Sequence, residues 1–168
     1  MWYKIAKIGS TNKVMNDKLK TVVRESPFFQ KLFDKYDVPI EQIEKHLKFI
    51  IKDIGDKYAK GNGKYIFINS KLFEDGDFFA EKIHYLVHEI VHWLTRQREK
   101  SFYFADPEEQ VCFIYSMAYE ILRGKSPKEI KNIFFPIIKA HFDKKQNAVK
   151  LFKAIYTKAK SRAEEYNK

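Results

Sequence analysis

The stretch Leu86-Val87-His88-Glu89-Ile90-Val91-His92-Trp93-Leu94 decides the reading of this chain. Its spine is H-E-x-x-H. On a helix, residues four apart project from the same side, one turn apart, so His88 and His92 face the same way. Two imidazoles so placed can hold one Zn²⁺, at Zn–N distances of ~2.0–2.1 Å. Glu89, beside the first histidine, reaches a water at the metal rather than the metal itself and can take its proton. The chemistry asks for this spacing because one rigid helix must hold ligands and base in fixed relation. The bland alternative is a pair of core histidines beside a surface glutamate.

The context favours a helix. Leu86, Val87, Ile90, Val91, Trp93 and Leu94 are uncharged and would dock it into a core. Asp77 is placed to cap it, and the apolar spacing of Phe78, Ile83, Val87, Ile90, Val91 and Leu94 carries it to about Lys100. Upstream, residues 64–69, KYIFIN, are short, aromatic and β-branched, so they read as a strand. Gly61-Asn62-Gly63 breaks the pattern before them. The segment after Pro39 has Ile40, Ile43, Leu47, Ile50, Ile51 and Ile54 at helical spacing and reads as one helix. Ser26-Pro27 opens another, and the first eight residues, MWYKIAKI, read as a further strand.

Downstream, Asp106-Pro107-Glu108-Glu109 opens a helix that ends near Arg123-Gly124. Ser126-Pro127-Lys128-Glu129 is a capping box, and Pro136 should kink or end the helix it opens. A last helix from about Asn147 carries Phe152, Ile155, Tyr156 and Ala159 on one face.

Composition narrows the classes. The chain has 168 residues, 45% apolar and 16% aromatic, enough for a sizeable core and too much for wholesale disorder. No run approaches the ~18 apolar residues of a membrane span. The N-terminal lysines and the lack of a small-residue cleavage site do not read as a signal peptide. The single cysteine, Cys112, excludes an intrachain disulfide and a Cys-based zinc cluster. A cytoplasmic protein fits best. The net charge of +10 is uneven: residues 1–60 carry +5, 61–124 carry −3 and 125–168 carry +8. The basic ends read as a solvated surface or, more sharply, as a face for nucleic acid or an acidic protein partner.

With these residues in hand, the chain resembles the zincin superfamily of zinc metallopeptidases, over residues 64–69, the helix 78–100 and the helix after Asp106. The resemblance implies His88 and His92 as zinc ligands and Glu89 as general base. In metzincins the motif extends to H-E-x-x-H-x-x-G-x-x-H; here Thr95 and Arg98 stand at the glycine and last-ligand positions, which disfavours that branch. In gluzincins the third ligand is a glutamate on the next helix. Glu109, with 16 residues between it and His92, and Glu108, with 15, are the candidates. The arrangement looks like the ImmA/IrrE-type regulatory metallopeptidases, whose second helix starts with a ligand glutamate followed by small residues at spacing three and seven. From Glu109 these are Cys112 and Ser116, from Glu108 Val111 and Tyr115, so Glu109 is preferred. That family's alanine-rich run is only partly present, and there is no recognisable helix-turn-helix partner. Without any metal, Glu109 at a capping-box position and Glu108 at a helix N-terminus would serve the helix start alone.

Other residues carry weaker signals. His84 lies one turn before His88 and reads as a surface or helix-packing histidine more than as part of a metal environment. Tyr115, Tyr119 and His141 could stabilise an oxyanion, but an aromatic core suits the tyrosines and an exposed or capping role the histidine. His46 reads as structural, and Cys112 as a buried small hydrophobe.

The expectation is therefore a mostly helical α+β chain, 1–168, forming a single zincin-like domain with a small sheet packed on the H-E-x-x-H helix and a basic helical segment, 125–168. It would be a zinc endopeptidase with one Zn²⁺ held by His88, His92 and Glu109, and with Glu89 as base. A peptide substrate would align as an added strand along the edge of residues 64–69. The alternative is a catalytically inactive zincin-like protein that binds nucleic acid or an acidic partner through its basic ends, and a weaker one is a zinc hydrolase acting on a non-peptide bond.

Overall fold

The first residues do not form a strand. A computed structural model, which describes residues 2–61, 64–74, 76–95 and 107–168, has one helix, α1, over Trp2–Glu25. No proline interrupts this stretch, and a helix propagates at little cost once nucleated. Leu19 and Val23, one turn apart and essentially inaccessible, anchor its C-terminal half. The chain divides into two compact units, Met1–Lys82 and Ile83–Lys168. It is mostly helical, with a small three-stranded sheet. No helix among the described residues is long and apolar enough to cross a membrane.

In the first unit α1 packs against helix α2, Pro27–Lys35, and strand β1, Lys48–Lys52. Pro27 opens α2 as expected, although the Ser26 side chain makes no capping bond. Phe28, Phe29, Leu32 and Phe33 are all buried there. The single helix expected over residues 40–54 is instead helix α3, Ile40–His46, followed by β1. The sequence fits both periods, because Leu47, Phe49 and Ile51 alternate while the isoleucines also recur at helical spacing. Pairing resolves it: β1 runs parallel to β3, Tyr65–Asn69, with Lys48 opposite Tyr65 and Lys52 opposite Asn69. The alternation then buries Phe49 and Ile51. Asn16 Nδ2 donates to Phe49 O at 2.7 Å and ties α1 to this strand.

Residues 65–69 form the expected strand, but it is no edge. β2, Ala59–Gly61, pairs antiparallel with its other side, and the order is β1-β3-β2. Both hydrogen-bonding sides of β3 face a strand, so a substrate cannot add along residues 64–69 as expected. Asn69, at the end of β3, is buried and donates to Gly55 O and Lys57 O at 2.9 and 2.8 Å, pinning the loop before β2.

Asp77 does cap a helix, accepting from Phe79 N and Ala80 N, but that helix, α4, covers only Phe78–Glu81. A break at Lys82 separates it from α5, His84–Thr95. The expected reach to Lys100 and the Asp106 cap lie outside the described residues.

The second unit packs α5, α6 (Pro107–Leu122), α7 (Pro127–Lys139) and α8 (Lys145–Tyr166). α6 contacts α5, α7 and α8. It is apolar nearly all round, as a central helix must be, and residues 112–118 are buried without a gap. It stops as the sequence indicates: Gly124 has φ +86°, its N–H bonds to Ile121 O, and Lys125 N–H bonds to Glu120 O. That six-to-one and five-to-two pair needs a left-handed residue, which glycine supplies without strain. The capping box at Ser126 and Glu129 is formed. Pro136 does not end α7, which continues to Lys139. α8 buries Ala148, Phe152, Ile155, Ala159 and Ala163, with Tyr156 half-buried.

Candidate metal centre

α5 holds its place through Leu86, Val87, Ile90 and Val91, none of them solvent-accessible. That burial fixes the rotation of the helix and so the direction of its two motif histidines. Their rings meet with Nε2 atoms 3.1 Å apart. Phe113 of α6 packs edge-on against His88, centroid to centroid 4.8 Å, and restricts its tilt.

Glu109, in the first turn of α6, completes the group. One carboxylate oxygen stands 3.1 Å from His88 Nε2 and the other 3.1 Å from His92 Nε2. Of the two glutamates proposed from sequence, Glu109 is the one that touches both rings. Burial works against its ionisation, but the bonds to His88 and His92 and their charge more than offset this, holding the carboxyl well below the usual carboxylate range.

The donor set suits a divalent cation. Ligand atoms around a tetrahedral Zn²⁺ with ~2.0–2.1 Å bonds stand ~3.3 Å apart, close to the 3.1 Å spacings here. Protons on both Nε2 atoms would set two N–H groups against each other. A central cation suits both rings and the carboxylate at once. Nitrogen and carboxylate donors with no hard-oxygen cage favour zinc over calcium or magnesium.

Sequence alone did not place Cys112 beside the two histidines. Cys112 is fully buried, and its Sγ lies within 4.8 Å of a ring nitrogen of each histidine. The available signal was its place three residues after Glu109, on the same face of α6.

Glu89 is only 8% exposed, and its buried Oε2 has no hydrogen-bond partner among the described residues. A buried carboxylate oxygen left so is costly, which fits a group kept for a proton-transfer role.

His84 is buried and belongs to helix packing. Its Nδ1 is 3.3 Å from Glu120 Oε1, and its ring meets Phe134. Burial lowers its pKa despite the opposing bond and charge of Glu120, so the ring meets Glu120 as a neutral imidazole. Glu120 is fully buried and also meets Arg123 at 3.4 Å and Lys125 at 3.7 Å. Tyr115 is buried against Tyr166 and Arg162 of α8, as an aromatic core residue. Tyr119 is half-buried with the Arg123 guanidinium over its ring, and burial raises its pKa. His141 and His46 are exposed, beyond α7 and at the end of α3.

Comparison of the chain with known protein families, with curated proteins and with solved structures finds no match.

Proposed function

We propose that this chain is a zinc-dependent peptidase of gluzincin-like, zincin-type geometry, acting in the cytoplasm. The observation that carries the reading is the 3.1 Å triangle of His88 Nε2, His92 Nε2 and the Glu109 carboxylate, built on an H-E-x-x-H helix. His88, His92 and Glu109 would hold one zinc, leaving a position for water. When bound, the metal supplies Lewis acidity toward a scissile carbonyl and lowers the pKa of water. Glu89 accepts the proton of the attacking water and delivers it to the leaving amine. The partly buried site limits competing solvent, which strengthens such charge interactions.

The test is metal stoichiometry with hydrolysis. Protein purified without added zinc should carry one zinc per chain, and His92→Ala should lose it together with peptide cleavage measured by mass spectrometry. Equal trace zinc in both proteins would remove the metal site and the activity with it.

A second reading rests on charge. Lys150, Lys153, Lys158 and Lys160 are all exposed on α8. They support binding to the phosphates of a nucleic acid, either in place of hydrolysis or beside it.

A further inference from the structure

α5 and α6 meet along a stripe that is polar on both sides. On α6 it contains Glu109, Cys112, Ser116 and Glu120, spaced three, four and four residues apart, which is one face of a helix. Three of the four are seen to face α5: Glu109 contacts His88 and His92, Ser116 Oγ donates to His84 O at 3.2 Å, and Glu120 meets the His84 ring. The helices run antiparallel, since His92 lies opposite Glu109 and His84 opposite Glu120. Cys112, between Glu109 and Ser116, is therefore level with His88. Its Sγ is within 4.8 Å of a ring nitrogen of each imidazole, while the Glu109 carboxylate reaches both Nε2 atoms from one turn earlier.

We infer that Cys112 is a fourth ligand of the metal held by His88, His92 and Glu109, so that its thiolate closes the site and its withdrawal opens a place for water. This rests on the metal-site reading above and adds its regulation. Four protein ligands make a closed, structural zinc site, and three make an open, hydrolytic one. Thiolate is a strong ligand for zinc, and this buried sulfur lies within 4.8 Å of a ring nitrogen of each imidazole. On coordination the S–H proton passes to solvent, and on release the thiol takes one back. The resting protein is then a tight metal binder with low activity, and losing the sulfur releases hydrolysis.

Cobalt(II) loading of the full chain tests this without relying on activity. The wild-type protein should bind one cobalt per chain and show an intense near-ultraviolet thiolate-to-cobalt band. Cys112→Ser and Cys112→Ala should both still bind one cobalt, with folding checked by circular dichroism, and both should lose the band. Their zinc affinity should fall by at least about tenfold, since even residues that only support a ligand are worth that much. Zinc-loaded Cys112→Ser should hydrolyse peptides faster than wild type. Stoichiometric cobalt with no thiolate band in wild type overturns the inference and leaves the peptidase reading standing. A thiolate band without Glu89-dependent hydrolysis in Cys112→Ser confirms the ligand but overturns the opening to water, and the peptidase reading falls with it. Failure to bind cobalt at all overturns both.

Discussion

His84 Nδ1 stands 3.3 Å from Glu120 Oε1 in a part of the α5–α6 seam closed to water. The ring is held neutral there, below its ordinary pKa of 6.5, by burial; Glu120 opposes the shift, while Lys125 and His88 add to it. The unfolded chain thus binds a proton at His84 more readily than the folded one. Stability from this group is complete above pH ~6.5 and is lost as pH falls below it, toward the lowered folded pKa. The unfolding midpoint of wild type should drop more steeply below that pH than that of His84→Gln, which cannot titrate. Parallel pH profiles for the two proteins would contradict the assignment.

Glu109→Gln keeps the size of the side chain but removes the anion that bridges His88 and His92. Zinc affinity in a competition titration should fall at least about tenfold, while Glu108→Gln should leave it within a factor of two or so. Both changes weaken the favourable charge at the start of α6, by about 0.3–1 kcal/mol, so thermal stability should be compared in metal-free protein. A larger affinity loss in Glu108→Gln would move the third ligand one residue.

The proposed mechanism gives Glu89 proton transfer and His88 beside it a place on the metal. Glu89→Gln should fold and hold one zinc but keep at most about one per cent of wild-type hydrolysis, because general-base catalysis is worth ~10²–10⁴-fold. His88→Ala should lose metal and activity together. Full activity in Glu89→Gln would make the water-activation step untenable.

The exposed lysines of α8 give a separate expectation. If they contact phosphate, binding of a short duplex should weaken steeply with salt. Replacing Lys150, Lys153, Lys158 and Lys160 by glutamine should flatten that slope and leave zinc content unchanged. No binding at low salt would show these lysines to be a solvated surface.

Several features were legible because their chemistry is local. The capping box at Ser126 and Glu129 and the glycine stop at Gly124 involve neighbours a few residues apart. The pairing of His88 with His92 follows from one helical turn. Residues 65–69 read correctly as a strand because an aromatic, β-branched run has few other uses.

The rest depended on partners distant in sequence. Residues 48–52 satisfy helical and strand spacing equally, and pairing with β3, which itself starts 13 residues beyond β1, decided between them. That pairing, with β2 on the other side, also closed β3 to an added strand. Sequence alone determined the helix that carries His88 and His92 on one side with Glu89 beside them, because a helix has a fixed period. The rotation of α6 against α5 is set by burial of residues on several helices. The tertiary structure sets Glu109, already preferred from sequence, against both imidazoles, and it alone brings Cys112 beside them and seals His84 against Glu120.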